Sequence, residues 1–321
     1  MEDYPRNQTE FENRFATDEA CREYLVALRW PEGFICPRCG NGCFGKTKRG
    51  LMVCHQCRYQ ASITAGTIFQ DSRKPLTLWF RAIWAMTGQK TGASALAIQR
   101  ILGLGGYVTA WTWMHKLRHA MVVPGRERLR GEVEVDETFM GAPEQGRHGR
   151  RMINKTMVIV AAEKNGLGIG RIRMRRVRDG SAKSIHPFVR ESIEPGSTLF
   201  TDDWQGYAGL EGYRREIKQI AHSGKKASDL MPRAHRVVSL LKRWLMGTHQ
   251  GAVSHEHLDY YLDEFTFRFN RRTSASRGKL FYRLIQNAVR VPPAPYRTMI
   301  KSVRGRKRHN HNIKGLVESI E

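Results

Sequence analysis

Apolar residues recur with two different periods along the chain, and the change of period separates a helical part from a mixed part. Between residues 74 and 121 the spacing is helical in KPLTLWFRAIWAM, SALAIQRIL and YVTAWTWMHKLRHAM. The second of these segments ends at GLGG, so a short helix, a glycine-containing turn and a longer helix follow one another. This order is typical of a helix-turn-helix, although three helices packed without contacting DNA would give the same pattern.

A strand pattern begins near Gly131, where Val133 and Val135 alternate with Glu134 and Asp136. The elements expected after it are strands over 155–163 and 168–177, a helix over 182–193, a strand and a helix over 197–210, a strand at YRREIKQI and a long helix over 229–244. This order predicts an α/β domain with a mixed sheet covered by helices.

The charge of the chain indicates an anionic partner. Its 54 Lys and Arg residues exceed its 30 Asp and Glu residues by 24, which favours phosphates or an anionic membrane surface. No segment approaches the roughly 20 apolar residues of a membrane span, and the first thirty residues lack a signal peptide pattern. We therefore expect a cytosolic protein that binds nucleic acid; a basic enzyme without that partner is the alternative. The segment 265–317 has no acid, and beyond about Pro292 we expect a phosphate-binding arm.

Four of the six cysteines form two C-x2-C pairs within CPRCGNGCFGKTKRGLMVCHQC. Two such pairs supply the four thiolates of a closed, tetrahedral structural zinc site. The expected ligands are Cys36, Cys39, Cys54 and Cys57. Cys43 and His55 are spare groups in the same segment, and Cys21 is expected in the core of an amphipathic helix. The zinc would hold a small module together without performing chemistry.

Two acids lie on predicted strands of the second part. Asp136 is within the first strand, and Asp202 ends the fourth. If these strands are neighbours, both carboxylates meet, and oxygen ligands suit Mg²⁺ or Mn²⁺ in phosphodiester chemistry. Ordinary surface acids are the alternative interpretation.

These motifs, together with EGFICPRCG, TDDWQGY and SLLKRWLMGTHQGAVSHEHLDYYLDEFTFRFNRR, resemble bacterial insertion-sequence transposases of the ISXO-like group. The similarity covers roughly residues 10 to 285. It implies an N-terminal zinc ribbon and a ribonuclease H-like catalytic domain of the DDE type. Such enzymes use water to cut DNA at the ends of the element, and the freed 3′-hydroxyl attacks target DNA.

The resemblance assigns roles to individual residues. Asp136 matches the first acid and Asp202 the second, whereas Glu137 and Asp203 face away if the strands persist. The third position is usually an acid seven residues before a Lys or Arg; here Lys242 matches the basic residue and His235 stands in place of the acid. A neutral imidazole can bind a divalent ion or orient water, and as a softer ligand it favours Mn²⁺ over Mg²⁺. An inactive enzyme is the alternative.

Supporting and DNA-binding residues complete the expectations. Glu134 shares the face of Asp136, and Glu264 is expected to be structural. The polar positions of the last predicted helix are Thr109, Thr112, His115, Lys116 and Arg118. The DNA contacts expected overall are Thr112, Lys116, Arg118, Lys242, Arg271 and Arg272, with Arg268 and Asn270 beside the last two; salt bridges at the core edge are the alternative for the FRFNRR group.

The expected domains are an N-terminal helical segment (1–30), a zinc ribbon (31–72), a helix-turn-helix region (73–125), the catalytic domain (130–285) and a basic tail (286–321). The implied partner is double-stranded DNA, both terminal inverted repeats and target, bound by at least a dimer in the bacterial cytoplasm at the nucleoid. Two other functions stay open: a non-catalytic DNA-binding regulator, decayed or domesticated, and a ribonuclease H-like nuclease or resolvase that cuts without joining.

Overall fold

A computed structural model describes residues 2–123, 125–141, 155–218, 224, 226–251, 253–297 and 299–300. The chain forms two compact units, of which the first contains Met1–Val123 and Thr273–Lys301 and the second contains Pro124–Arg272. Among the described helices, none is both long and apolar enough to cross a membrane. The basic segment SVRGRKRHNHNIKG, expected to be a phosphate-binding arm, lies outside the described residues.

The first unit combines a small antiparallel sheet with helices. Its elements up to residue 121 are α1 (Gln8–Arg14), α2 (Asp18–Arg29), β1 (Phe44–Lys46), β2 (Met52–Cys54), β3 (Gln60–Ala61), α3 (Leu76–Gly88), α4 (Ala95–Leu102) and α5 (Tyr107–Met121). The three strands pair in the order β1-β2-β3. The helical spacing therefore predicted α3, α4 and α5 correctly, with limits that differ by at most two residues.

Local capping explains where α4 begins and ends. The Ser94 side chain accepts the N–H of Ala97 at 3.2 Å, which satisfies one of the donors left free at a helix start. Gly103 ends the helix with φ +61°, in the left-handed region that a residue without Cβ enters most easily. The turn then leads into α5, which packs on α3 through stacked Trp79 and Trp113 rings with centroids 3.9 Å apart.

A helix that was expected to lie mostly at the end of the catalytic domain completes this unit. The segment up to residue 285 was expected to belong to that domain, but α10 (Arg277–Ala288) lies in the first unit. The Phe281 ring lies 5.4 Å from that of Phe11 and 5.8 Å from that of Phe80. Helical periodicity shows that α10 has an apolar face, but it does not show which partner covers that face. Beyond α10, Val291, Ala294 and Met299 are also buried, so packing continues past Pro292.

The second unit is built on a five-stranded mixed sheet. Its elements are β4 (Glu132–Met140), β5 (Thr156–Asn165), β6 (Gly168–Val177), α6 (Ala182–Ser192), β7 (Thr198–Thr201), β8 (Arg214–Ile217), α7 (Ala227–Leu230), α8 (Pro232–His249) and α9 (Leu258–Phe269). The strand order is β6-β5-β4-β7-β8. The β4–β5 and β5–β6 pairs are antiparallel, and the β4–β7 and β7–β8 pairs are parallel. The helix expected after β7 is a single 3₁₀ turn over Gln205–Tyr207.

Helices cover both faces of this sheet. Val133 and Val135 of β4 belong to one apolar cluster with residues of α6, including Phe188. Val158 and Val160 of β5 belong to the opposite cluster, with residues of α8 and α9. This arrangement confirms the expected α/β class, a mixed sheet with flanking helices preceded by a small cysteine-bearing ribbon.

Candidate catalytic centre and zinc site

Asp136 lies on the central strand of the sheet, on the side covered by α8. Its neighbours Val133 and Val135 are fully buried against α6, so strand alternation places Asp136 on the other face. The carboxylate is largely enclosed, since the side chain is 15% exposed. The predicted period-two pattern of β4 is therefore confirmed.

Asp202 reaches the same level of the neighbouring strand. In the parallel β4–β7 ladder, Glu134 is opposite Phe200. Asp136 and Asp202 each follow two residues after that pair, on strands that lie about 4.8 Å apart. Asp202 comes directly after β7, where its Oδ1 accepts the N–H of Trp204 at 3.1 Å. β4 and β7 are therefore neighbours, as the predicted approach of Asp136 and Asp202 requires.

His235 meets the first acid from the long helix α8. The buried stripe of α8 consists of Ala234, Val237, Leu241, Leu245 and His249, which hold one face of the helix in the core. His235 directly follows Ala234, at the edge of that buried stripe, and its side chain is about one-third exposed. Its Nε2 is 3.4 Å from Oδ2 of Asp136. His235, which the resemblance puts in place of the third acid, therefore lies beside Asp136 in the structure.

The electrostatic environment of α8 favours a neutral imidazole. Burial lowers the pKa of His235 below its ordinary value; the Glu134 carboxylate raises it, and the Lys242 ammonium lowers it further. Burial also lowers the pKa of Lys242, with an additional contribution from the charge of Lys155. A neutral imidazole keeps a nitrogen lone pair for a metal ion or a proton.

Glu134 binds the beginning of α8. Its Oε2 accepts the backbone N–H groups of Arg233 at 2.7 Å and Ala234 at 2.9 Å, and its Oε1 accepts Nη1 of Arg233 at 2.9 Å. The first turn of α8 has no capping side chain of its own, so this carboxylate from β4 satisfies donors that a helix start leaves free. The sequence indicated Glu134 as a supporting residue but gave no sign of its partner Arg233, which is 99 residues away.

Tyr207 is a buried residue close to the carboxylates, in the apolar cluster on the α6 side of the sheet, that the sequence did not single out. Burial raises its pKa well above the ordinary value, and the charges of Glu137, Asp136 and Asp202 raise it further. The hydroxyl therefore remains protonated among three carboxylates. Tyr207 lies in the 3₁₀ turn after β7, and its place in TDDWQGY, close to Asp202, was the signal that could have identified it.

The donors of the centre fit a hard or borderline divalent cation, because carboxylate oxygens and one imidazole nitrogen are ligands of Mg²⁺ and Mn²⁺. Asp136 and His235 are in contact, but the centre is not a closed cluster. Within the described part of the chain, the ligand atoms of three or more His, Cys, Asp or Glu residues come within 4.8 Å of one another in the four-cysteine group alone.

The four predicted cysteines do form such a cluster. The Sγ atoms of Cys36 and Cys57 are 3.6 Å apart, and those of Cys39 and Cys54 are 3.5 Å apart. Four sulfurs at 2.3 Å from a tetrahedral zinc lie roughly 3.8 Å from one another, so the spacing fits structural Zn²⁺. Cys43 and His55 are not members of the cluster, and Cys21 is buried on α2 as expected.

The DNA contacts expected on α5 divide into accessible and buried residues. Thr112 and Lys116 are partly exposed and line a groove of about 280 Å³ together with Arg73 and Lys74. Arg118 is only 1% exposed. The prediction of Arg118 as a DNA contact is therefore corrected, because α5 turns this side chain into the core.

The FRFNRR group serves the fold. Arg271 donates to the Phe267 carbonyl at 3.2 Å, and Arg272 donates to the Phe269 carbonyl at 2.9 Å and to the Gly170 carbonyl at 3.1 Å. These bonds fix the end of α9 and join it to β6. Arg271 is partly exposed and Arg272 is exposed, and each guanidinium keeps further N–H donors, so the DNA contacts expected of them stay a prediction.

The other two polar members of the same group are also engaged within the protein. Asn270 exchanges hydrogen bonds with the backbone of Ile172 at 2.7 and 3.2 Å. Arg268 forms a buried ion pair with Glu264 at 2.9 Å, so Glu264 has the structural role that was expected of it. For Arg268 the alternative of a salt bridge inside the protein is the one observed.

Comparison with known proteins agrees with this architecture. The model of the ISXO2-like transposase domain matches residues 128–270, and the model of the transposase zinc-ribbon domain matches residues 16–60. The chain is also 24% identical over 279 residues to an uncharacterized protein in the transposable element ISH50 of Halobacterium salinarum, which covers 79% of this chain and 91% of that protein. The two domain models together match more than half of the chain, in the order zinc ribbon then transposase domain. The chain belongs to the ISXO2-like transposases with an N-terminal zinc ribbon.

Proposed function

We propose that this transposase hydrolyses DNA strands at the ends of an insertion sequence and joins the freed 3′-hydroxyls to target DNA. The observation that carries the proposal is the convergence of β4, β7 and α8. Asp136 and Asp202 lie at the same level of neighbouring strands, and His235 Nε2 lies 3.4 Å from Asp136 Oδ2. Two acids on neighbouring strands, one of them in contact with an imidazole, in a chain of net charge +24, fit a phosphodiester substrate better than ordinary surface acids do.

Each side chain has a defined task in this proposal. Asp136, Asp202 and His235 hold divalent ions, and bound Mg²⁺ or Mn²⁺ would supply charge neutralisation and an activated water. The neutral imidazole favours Mn²⁺. Lys242, two helical turns after His235, binds the phosphate. Asp202 is also oriented by the N–H of Trp204, which fixes the direction of its other oxygen.

The zinc ribbon and the helix pair α4–α5 bind the terminal inverted repeats in this proposal. Thr112 and Lys116 are the α5 residues that support it, because both are accessible. Two element ends must be joined in one event, so the DNA complex contains at least a dimer. A protein that acts on the bacterial chromosome in this way works in the cytoplasm, at the nucleoid.

The test is cleavage of a supercoiled plasmid that carries the inverted repeats flanking the gene, with Mg²⁺ or Mn²⁺ added to the purified full chain. We expect nicks at the repeat ends, and we expect a labelled pre-cleaved end to be joined to a second DNA. Asp136→Asn should abolish both reactions and leave DNA binding intact.

Two other outcomes would overturn the proposal in different ways. DNA binding without cleavage in either metal would identify a non-catalytic regulator. Cleavage without joining of the labelled end would identify a ribonuclease H-like nuclease or resolvase.

A further inference from the structure

Glu134 is better connected than a supporting surface acid would be. The residue is 5% exposed, and both of its carboxylate oxygens are engaged by the first residues of α8. Arg233 is fixed on its other side as well, since its Nε donates to the Gly168 carbonyl at 3.1 Å, at the start of β6. The first turn of α8 is therefore tied to β4 and to β6.

The contacts of Glu134 with α8 lie next to the contact between Asp136 and His235, on the same strand and the same helix. Glu134 and Asp136 are two residues apart on one face of β4. Their partners on α8 are also consecutive, because Arg233 and Ala234 bind Glu134 and His235 contacts Asp136. A shift of α8 along the strand would therefore break both contacts together.

We propose that Glu134 is a positioning residue for the reaction: its carboxylate fixes the start of α8 on β4 and so holds the His235 imidazole against Asp136. This inference rests on the proposed function, in which His235 and Asp136 act together. Glu134 itself contacts neither substrate nor metal in this role. Its effect on the rate comes from geometry, since a displacement of about 1 Å in a catalytic group can cost roughly 10²-fold.

Glu132 offers a matched control on the same strand face. It is exposed and pairs with Lys164 at the surface, with 2.6 Å between Nζ and Oε2. Replacement of Glu132 by Ala removes an acid of the same strand without touching α8. We therefore expect Glu132→Ala to behave as the wild type does.

The experiment measures two quantities for the wild type, Glu134→Ala and Glu132→Ala. The first is the cleavage rate at the element ends at saturating Mn²⁺. The second is amide hydrogen exchange of residues 231–236 in the zinc-loaded full chain without added Mg²⁺ or Mn²⁺. In Glu134→Ala we expect cleavage to fall roughly 10²-fold and protection of the Arg233 and Ala234 amides to fall about fivefold, the size of a lost helix cap.

A conservative variant keeps the test decisive if Glu134→Ala folds poorly. In Glu134→Gln the side-chain oxygen can still accept both backbone N–H groups, since both bind one oxygen in the structure. We therefore expect Glu134→Gln to recover most of the protection and much of the rate relative to Glu134→Ala. A purely electrostatic role would leave Glu134→Gln as impaired as Glu134→Ala.

The outcomes separate this inference from the proposed function. If Glu134→Ala cleaves normally, or cleaves slowly with unchanged exchange at residues 231–236, the positioning role is overturned. If the wild type and Glu132→Ala do not cleave at all, the proposed function fails, and with it the catalytic purpose of Glu134. The exchange measurement would then still show whether Glu134 fixes the start of α8.

Discussion

The four-cysteine cluster and the candidate catalytic centre are built in opposite ways. The zinc ligands come from two short turns, and Cys36 and Cys57 are only 21 residues apart. The groups of the candidate catalytic centre come from β4, the end of β7 and α8, between residues 136 and 235. The sulfurs form a closed set within 4.8 Å, whereas the acids and the imidazole form an open one.

This difference fits a structural metal site in the first case and a proposed catalytic metal site in the second. A structural ion needs all of its positions filled by the protein, while a catalytic ion needs room for water and substrate. A closed site can be encoded by local spacing because turns of the ribbon bring its ligands together. An open site on a sheet depends on which strands become neighbours.

The largest effect is expected at the closed site. Cys54→Ser removes one of four thiolates, and structural zinc sites contribute about 10–16 kcal/mol to the folding of small modules. We expect the bound zinc, measured by atomic emission on purified protein, to fall from about one equivalent per chain to near zero. Cys43→Ser is the control, because Cys43 lies in the same ribbon outside the cluster. Loss of zinc from the Cys43 variant as well would contradict the assignment of ligands.

The next effect is expected at the open site. Asp202→Ala should lower end cleavage roughly 10³-fold, because several kcal/mol of metal-dependent charge stabilisation are lost. The zinc content should not change. Asp203→Ala is the matched control, since Asp203 is the adjacent acid and is exposed. Equal losses in both variants would show that the sheet register does not select the ligand.

The third prediction concerns His235, whose role at the open site should show in the pH dependence of cleavage and in the preferred metal. We expect His235→Ala to lower cleavage about 10²-fold and His235→Glu to restore activity with a preference shifted toward Mg²⁺. Burial depresses the pKa of His235 below 6.5, so protonation removes the neutral imidazole only below that pH. The wild-type rate should therefore fall on acidification through a transition below 6.5, and the transition of His235→Glu should lie lower still, toward about 4.3.

A pH–rate profile in Mn²⁺ for the three proteins checks this expectation. An acid transition in the wild type above pH 6.5 would contradict the direction of the pKa shift. Unchanged cleavage by His235→Ala would remove His235 from the mechanism.

The smallest effect is expected on α5. Lys116→Ala should weaken binding to end DNA a few-fold and reduce the slope of affinity against salt by about one, as one lost phosphate contact does. Arg118→Ala should instead lower the melting temperature while the folded protein keeps its affinity, because Arg118 is buried. Fluorescence anisotropy at several salt concentrations measures the first effect, and thermal unfolding measures the second. The opposite assignment of effects would mean that α5 binds DNA through another face.

Local patterns predicted much of the second unit. The alternation around Val133 and Val135 placed β4 and the face of Asp136 correctly, and the long basic helix was found as α8. Sequence spacing also predicted the cysteine cluster in full. The failure concerns a group whose surroundings come from other elements: Arg118 carries the charge of a DNA contact, but neighbouring elements bury it.

Short-range periodicity and residue chemistry were enough to predict most of the helices and strands, the four-cysteine cluster, the basic charge and the two acids with their histidine. Tertiary packing was needed to show that β7 lies beside β4, that α10 belongs to the first unit, and that Glu134 binds the start of α8. An apolar face is stable only when it is buried, and a buried carboxylate needs hydrogen-bond donors; both requirements can be read from the sequence. Which of many distant segments meets each requirement depends on how all of them pack together.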